Sequence, residues 1–76
     1  MPSGRMILAA RMLAGLEQRE LAAQSNLNPS TLSRMEASGD GPVRGQGRNI
    51  QAVIDALERA GVLITEDGCR YKASRK

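Results

Sequence analysis

The sequence predicts a mostly α protein, a small bundle of four to five helices followed by a short C-terminal β-hairpin or strand. Three observations carry this. Apolar residues recur at helical spacing in successive short segments, the segments stop at Gly15, Asn26 and Gly61, and a β-branched run with an Asp-Gly pair follows the last of them. With 76 residues the chain has room for one domain, spanning 1–76, and shows no internal repeat. A chain this short buries only about 60% of its unfolded surface, so its core is marginal.

The first helix is expected from Arg5 to Ala14, where Met6, Ala9, Ala10 and Leu13 recur at helical spacing and Gly15 supplies a left-handed stop. A short second helix runs from Gln18 to Ser25 with Leu21, Ala22 and Ser25 on one face and Glu17 and Glu20 at the positive end of its dipole. Asn26 tolerates positive φ, Asn28 can cap, and Pro29 occupies the first position of a third helix reaching about Ala37. There Leu32 and Met35 face inward, leaving Ser30, Thr31, Ser33 and Arg34 outward. Residues 38–47 hold four glycines and a proline, so a loop carrying Arg44 is expected, closed by Arg48. Asn49 then caps a fourth helix through Ala60, with Ile50, Val53, Ile54 and Leu57 as its apolar stripe and Gly61 as its stop.

Val62 to Thr65 is a strand segment, and Asp67-Gly68 is a two-residue hairpin signal ahead of Cys69 to Lys72. That turn pairs Ile64 with Tyr71 and Val62 with Ala73 on one face, Leu63 with Lys72 and Thr65 with Arg70 on the other. An isolated hairpin is marginal in water. The Val62, Ile64 and Tyr71 face is therefore expected to pack on the fourth helix, to pair across a dimer axis, or both.

Composition excludes several functions. The chain has no histidine and one cysteine, so Cys/His zinc sites, nucleophile–histidine triads and histidine acid–base chemistry lack their residues. Asp40 and Asp67 sit in glycine turns, where Asp is a routine turn former. No enzyme activity, metal or cofactor is expected. Tyr71 is the lone aromatic, which leaves no platform for stacking single-stranded bases or RNA. Cys69 cannot form an internal disulfide and fits a reducing cytosol, while the opening MPSGRMILAARML is neither signal peptide nor membrane span. A cytoplasmic location is the expectation. Eleven Lys and Arg against eight Asp and Glu give a net charge of +3 and a pI of about 9.8, which suits an anionic partner.

The run Gln18-Arg-Glu-Leu-Ala-Ala-Gln-Ser-Asn-Leu-Asn-Pro-Ser-Thr-Leu-Ser-Arg-Met-Glu36 resembles the helix-turn-helix of the phage repressor/Cro-like (Xre) family, with the motif at about 18–37. Ala10, Arg11, Leu13 and Gly15 resemble that family's first helix. GPVRG, the segment from Ile50 to Gly61, and Val62 and Ile64 resemble a subgroup with a C-terminal β extension, here about 62–73. Ala22 is small where two helices cross, and Leu21, Leu27, Leu32 and Met35 fill the wedge between them. Two positions depart from the pattern: Glu17 replaces the usual Ser or Thr cap, and Asn26 replaces glycine.

The resemblance implies a double-stranded-DNA-binding transcriptional regulator, homodimeric on an inverted repeat. It places Pro29, Ser30 and Arg34 at base edges, with Thr31 and Ser33 beside them as further base candidates, and Gln18 at phosphate; Asn28 and Asn49 are further phosphate candidates. Arg44 and Arg48 flank the start of the fourth helix, whose amides and dipole also favour phosphate. Val62, Ile64 and Tyr71 are the expected dimerisation residues. A second reading uses the same fold as a protein-interaction module, an antitoxin or anti-activator with weak DNA binding.

Overall fold

The computed structural model describes residues 3–39, 47–65 and 68–71. Four helices precede a two-stranded antiparallel sheet: α1 (Gly4–Ala14), α2 (Gln18–Gln24), α3 (Pro29–Glu36), α4 (Gly47–Arg59), β1 (Val62–Ile64) and β2 (Cys69–Tyr71). This is the mostly helical architecture that the sequence predicts.

Local chemistry sets most boundaries. Ser3 is extended and its Oγ accepts from the Met6 amide at 3.1 Å, so α1 begins one residue earlier than its apolar pattern. It ends at Gly15 with φ 74°, where the Leu16 amide donates to Arg11 O at 3.2 Å. Glu17 stands ahead of α2, and its amide donates to the Glu20 carboxylate at 2.7 Å, so an acid at this position leaves the helix start closed. Asn26 takes φ 59° between α2 and α3, as the turn requires. Asn28 is the N-cap residue of α3 and Pro29 its first residue.

Two expectations are corrected. The fourth helix begins at Gly47, so Asn49 lies inside its first turn and does not cap it. Burial of Ile50 anchors that turn and offsets the low helix propensity of Gly47. In the hairpin, Val62 pairs with Tyr71, Leu63 with Arg70 and Ile64 with Cys69, two residues short of the expected register. The Thr65 amide donates to Gly68 O at 2.7 Å and the Gly68 amide to Thr65 Oγ1 at 3.1 Å, closing the ladder one step earlier on each strand than an Asp67-Gly68 turn would. A shift of two leaves the faces unchanged: Val62, Ile64 and Tyr71 still share one, now with Cys69. The expected partners Lys72 and Ala73 lie outside the described residues.

One core joins all elements. Ile7 and Ala10 from α1, Leu21 and Ala22 from α2, Leu32 and Met35 from α3, Ile50, Val53, Ala56 and Leu57 from α4, and Val62 from β1 are buried together. In this core α3 packs on α1 and α2, α4 on α2, and the hairpin on α1 and α4. Gly4 marks the closest crossing, because a Cβ there would collide with Met35 O and come within 2.9 Å of Glu36 O. Ser25 is buried and its hydroxyl has no partner.

The hairpin therefore folds back over its own helices. Val62, expected at a dimer surface, is fully buried within its own chain, and Ile64 is half-buried against the same core. Tyr71 alone of the three is exposed, with its hydroxyl donating to Leu13 O at 3.0 Å. Among the described residues no helix is long and apolar enough to cross a membrane.

Candidate nucleic-acid interface

The α2–turn–α3 unit presents one polar surface. Its turn is fixed by the left-handed Asn26 and by the Leu27 amide donating to Ala22 O at 2.8 Å. Leu32 and Met35 are drawn into the core, and the helical period then leaves Pro29, Ser30, Ser33 and Arg34 exposed. Thr31 is half-buried beside an open recess of about 500 Å³ that it lines with Ala23, Asn26, Leu27 and Asn28. Asn28 is exposed and its side chain makes no capping bond, so the amide is available to an external group.

The electrostatics of α3 depend on Glu36, its one acidic residue. The Glu36 side chain is 6% exposed, and its carboxylate accepts from Arg11 Nε at 2.7 Å, Arg11 Nη2 at 3.1 Å and Gln18 Nε2 at 2.9 Å. Arg11 Nη1 also donates to Leu16 O at 3.0 Å. The negative charge is thus neutralised inside the fold by a forked guanidinium. Arg34, two residues away on the outer face, makes no ion pair with a described residue, so its guanidinium keeps its donors for a ligand.

Gln18 is half-buried at the start of α2 and tied to Glu36 through one amide hydrogen. Because the carboxylate accepts only from the nitrogen, the orientation of the amide is set and its second N–H remains a donor. Arg48 is exposed and Asn49 half-buried in the first turn of α4. Arg44 lies outside the described residues. Ser30, Ser33 and Arg34 thus share an outer face of α3, Gln18 is held at α2, and Arg48 stands on a separate helix.

Sequence reasoning missed the Arg11–Glu36–Gln18 network. A signal was present: Arg11 follows Ile7 at i+4, on the inward side of α1, where a charge needs a partner. Nothing in the local pattern names Glu36 as that partner, 25 positions away. Among the described residues no cluster of three or more acidic, Cys or His side chains could hold a metal.

An α3 whose exposed face carries no acid, held against α2 across a left-handed turn, has the arrangement of a DNA-binding helix-turn-helix. Residues 7–42 match the family described as Helix-turn-helix, a match that supports a DNA-binding regulator of the phage repressor/Cro-like (Xre) type. The match covers most of α1, all of α2 and α3 and the residues just beyond. It stops before α4 and the hairpin, for which the expected kinship rests on the sequence pattern alone. No curated protein and no solved structure matched the chain.

Proposed function

We propose that the protein is a sequence-specific transcriptional regulator that sets α3 in the major groove of duplex DNA and acts as a homodimer on an inverted repeat. The observation that carries this reading is the division of charge on α3, with Glu36 enclosed by Arg11 and Arg34 left outward. Arg34 reads a guanine through O6 and N7, a contact worth about 1–3 kcal/mol of discrimination. Pro29, Ser30, Thr31 and Ser33 are short and adjust the neighbouring positions, Thr31 least because it is half-buried. Gln18, Asn28, Arg44, Arg48 and Asn49 meet phosphates and fix the register.

Two copies are required because α3 has eight residues and reads only a few base pairs. A second copy about 34 Å along the duplex doubles the contacts. Val62 is occupied in its own core, so the adjacent half-sites, more than the hairpin face, bring the copies together. Selection of bound fragments from random duplex DNA tests the proposal. An inverted repeat should emerge, and Arg34→Ala should relax one position in each half. An unenriched pool refutes DNA reading. A motif unchanged by Arg34→Ala, with lower affinity only, makes the arginine a phosphate clamp.

A further inference from the structure

Arg11 comes from α1, Gln18 opens α2 and Glu36 closes α3, so one hydrogen-bonded group joins three helices. Its two carboxylate oxygens are used differently. Glu36 Oε2 accepts from Arg11 Nε at 2.7 Å, whereas Oε1 is shared by Arg11 Nη2 at 3.1 Å and Gln18 Nε2 at 2.9 Å. Arg11 Nη1 donates to Leu16 O at 3.0 Å, just ahead of Gln18 in the chain. The guanidinium therefore fixes both the oxygen that receives the Gln18 amide and the backbone that leads into it.

The ion pair needs no glutamine to hold α1 against α3. The Arg11 and Glu36 side chains are enclosed and satisfy one another through a forked contact. Gln18 is half-buried, so the third bond carries the network from the interior to a side chain that solvent reaches. A free glutamine samples many rotamers and loses that freedom when it is fixed on a partner. Here the loss has already been taken in folding. The arrangement also answers a problem of charge, because a bare carboxylate would repel an approaching phosphate and Arg11 cancels that charge in place.

We propose that Glu36 and Arg11 are positioning residues for DNA, which hold the Gln18 side chain in one orientation and leave its second N–H to donate to a phosphate oxygen. This rests on the DNA-binding reading, and it gives two enclosed side chains a part in affinity that is separate from their part in stability. Gln18 then meets the duplex preorganised, as a rigid donor and not a flexible one.

Exchanging the pair for apolar residues tests this without altering the charge of the protein, since Arg11→Met removes a cation, Glu36→Leu removes an anion and the net charge stays at +3. Replacing both partners of a buried pair by apolar side chains of similar volume is compatible with a stable fold, which circular dichroism checks here. Affinity for the selected duplex should fall about twofold to tenfold. In a Gln18→Ala background the same exchange should cost nothing further, because the side chain it acts through is gone. The dependence on salt should keep its slope, as a neutral amide displaces no counterion. Equal losses with and without Gln18, as a purely structural pair would give, overturn the proposal, and so does an exchange that leaves affinity unaltered. A slope lower by about one also overturns it and makes Arg11 a phosphate contact in its own right.

The free protein gives a second reading that needs neither DNA nor a folded variant. In nuclear magnetic resonance spectra the side-chain amide protons of Gln18 should be shifted from those of the exposed Gln24 and should exchange more slowly with water. Gln18 protons that match those of Gln24 in both respects overturn the proposal. A held amide in a parent protein that binds no duplex refutes the DNA reading and the phosphate role with it, whereas a held amide with additive losses in affinity refutes the positioning alone.

Discussion

Replacing Glu36 by leucine should remove a large part of the stability of this fold while changing little of its shape. The carboxylate is 6% exposed and accepts three hydrogen bonds, at 2.7, 3.1 and 2.9 Å. Its loss leaves the Arg11 guanidinium, 16% exposed, with Leu16 O as its remaining acceptor. Removing one partner of a buried pair costs about 3–5 kcal/mol, and Arg11 can recover some hydration at its exposed edge, so about 2–4 kcal/mol is expected. A chain of this length is stable by about 4–11 kcal/mol, which makes the variant marginal. Arg11→Met alone should cost a similar amount by stranding Glu36, whereas Arg11→Met with Glu36→Leu should recover most of it. Urea unfolding followed by far-ultraviolet circular dichroism, run as a double-mutant cycle, measures the coupling. A coupling below about 0.5 kcal/mol, or additive single losses, would refute the view that this pair ties α1 to α3.

Three further outcomes follow from the same geometry. Ser25→Ala removes a buried hydroxyl without a partner and should raise stability by about 1 kcal/mol, seen as a rise of several degrees in Tm; a fall would mean that the hydroxyl is satisfied. Gly4→Ala should destabilise by about 1–3 kcal/mol although alanine is the better helix former, because its Cβ meets the backbone oxygens of Met35 and Glu36; unchanged stability would show that α1 can shift away from α3. Arg48→Ala should weaken binding to all duplexes alike and lower the salt slope by about one, and a loss confined to one sequence would move Arg48 from phosphate to base.

What the sequence made legible was set by local chemistry. Gly15, Asn26 and Gly61 take the positive φ expected of them, and the outer face of α3 is what remains once Leu32 and Met35 are assigned to the core. Failures arose where a local signal competed with a neighbour or a distant partner. Asp67-Gly68 is a strong turn pair, yet Thr65 binds Gly68 through both backbone and hydroxyl and draws the ladder two residues shorter. Asn49 is a good cap in isolation, yet burial of Ile50 extends the helix past it. The enclosure of Glu36 by Arg11 was invisible because periodicity along one helix carries no information about which side chain of another helix it will meet. Val62 was read as interface because an apolar strand face does not say whether its cover comes from the same chain or another.

The partition of α3 between its inner and outer residues has an evolutionary consequence. Leu32, Met35 and Glu36 do the work of folding, while Ser30, Ser33 and Arg34 make no packing contribution that the fold depends on. Those outer positions can mutate freely and still leave a folded, correctly angled helix. If α3 reads bases as proposed, the preferred DNA sequence can therefore drift or be rewritten over generations without passing through an unfolded ancestor, so that new specificities are reached one substitution at a time.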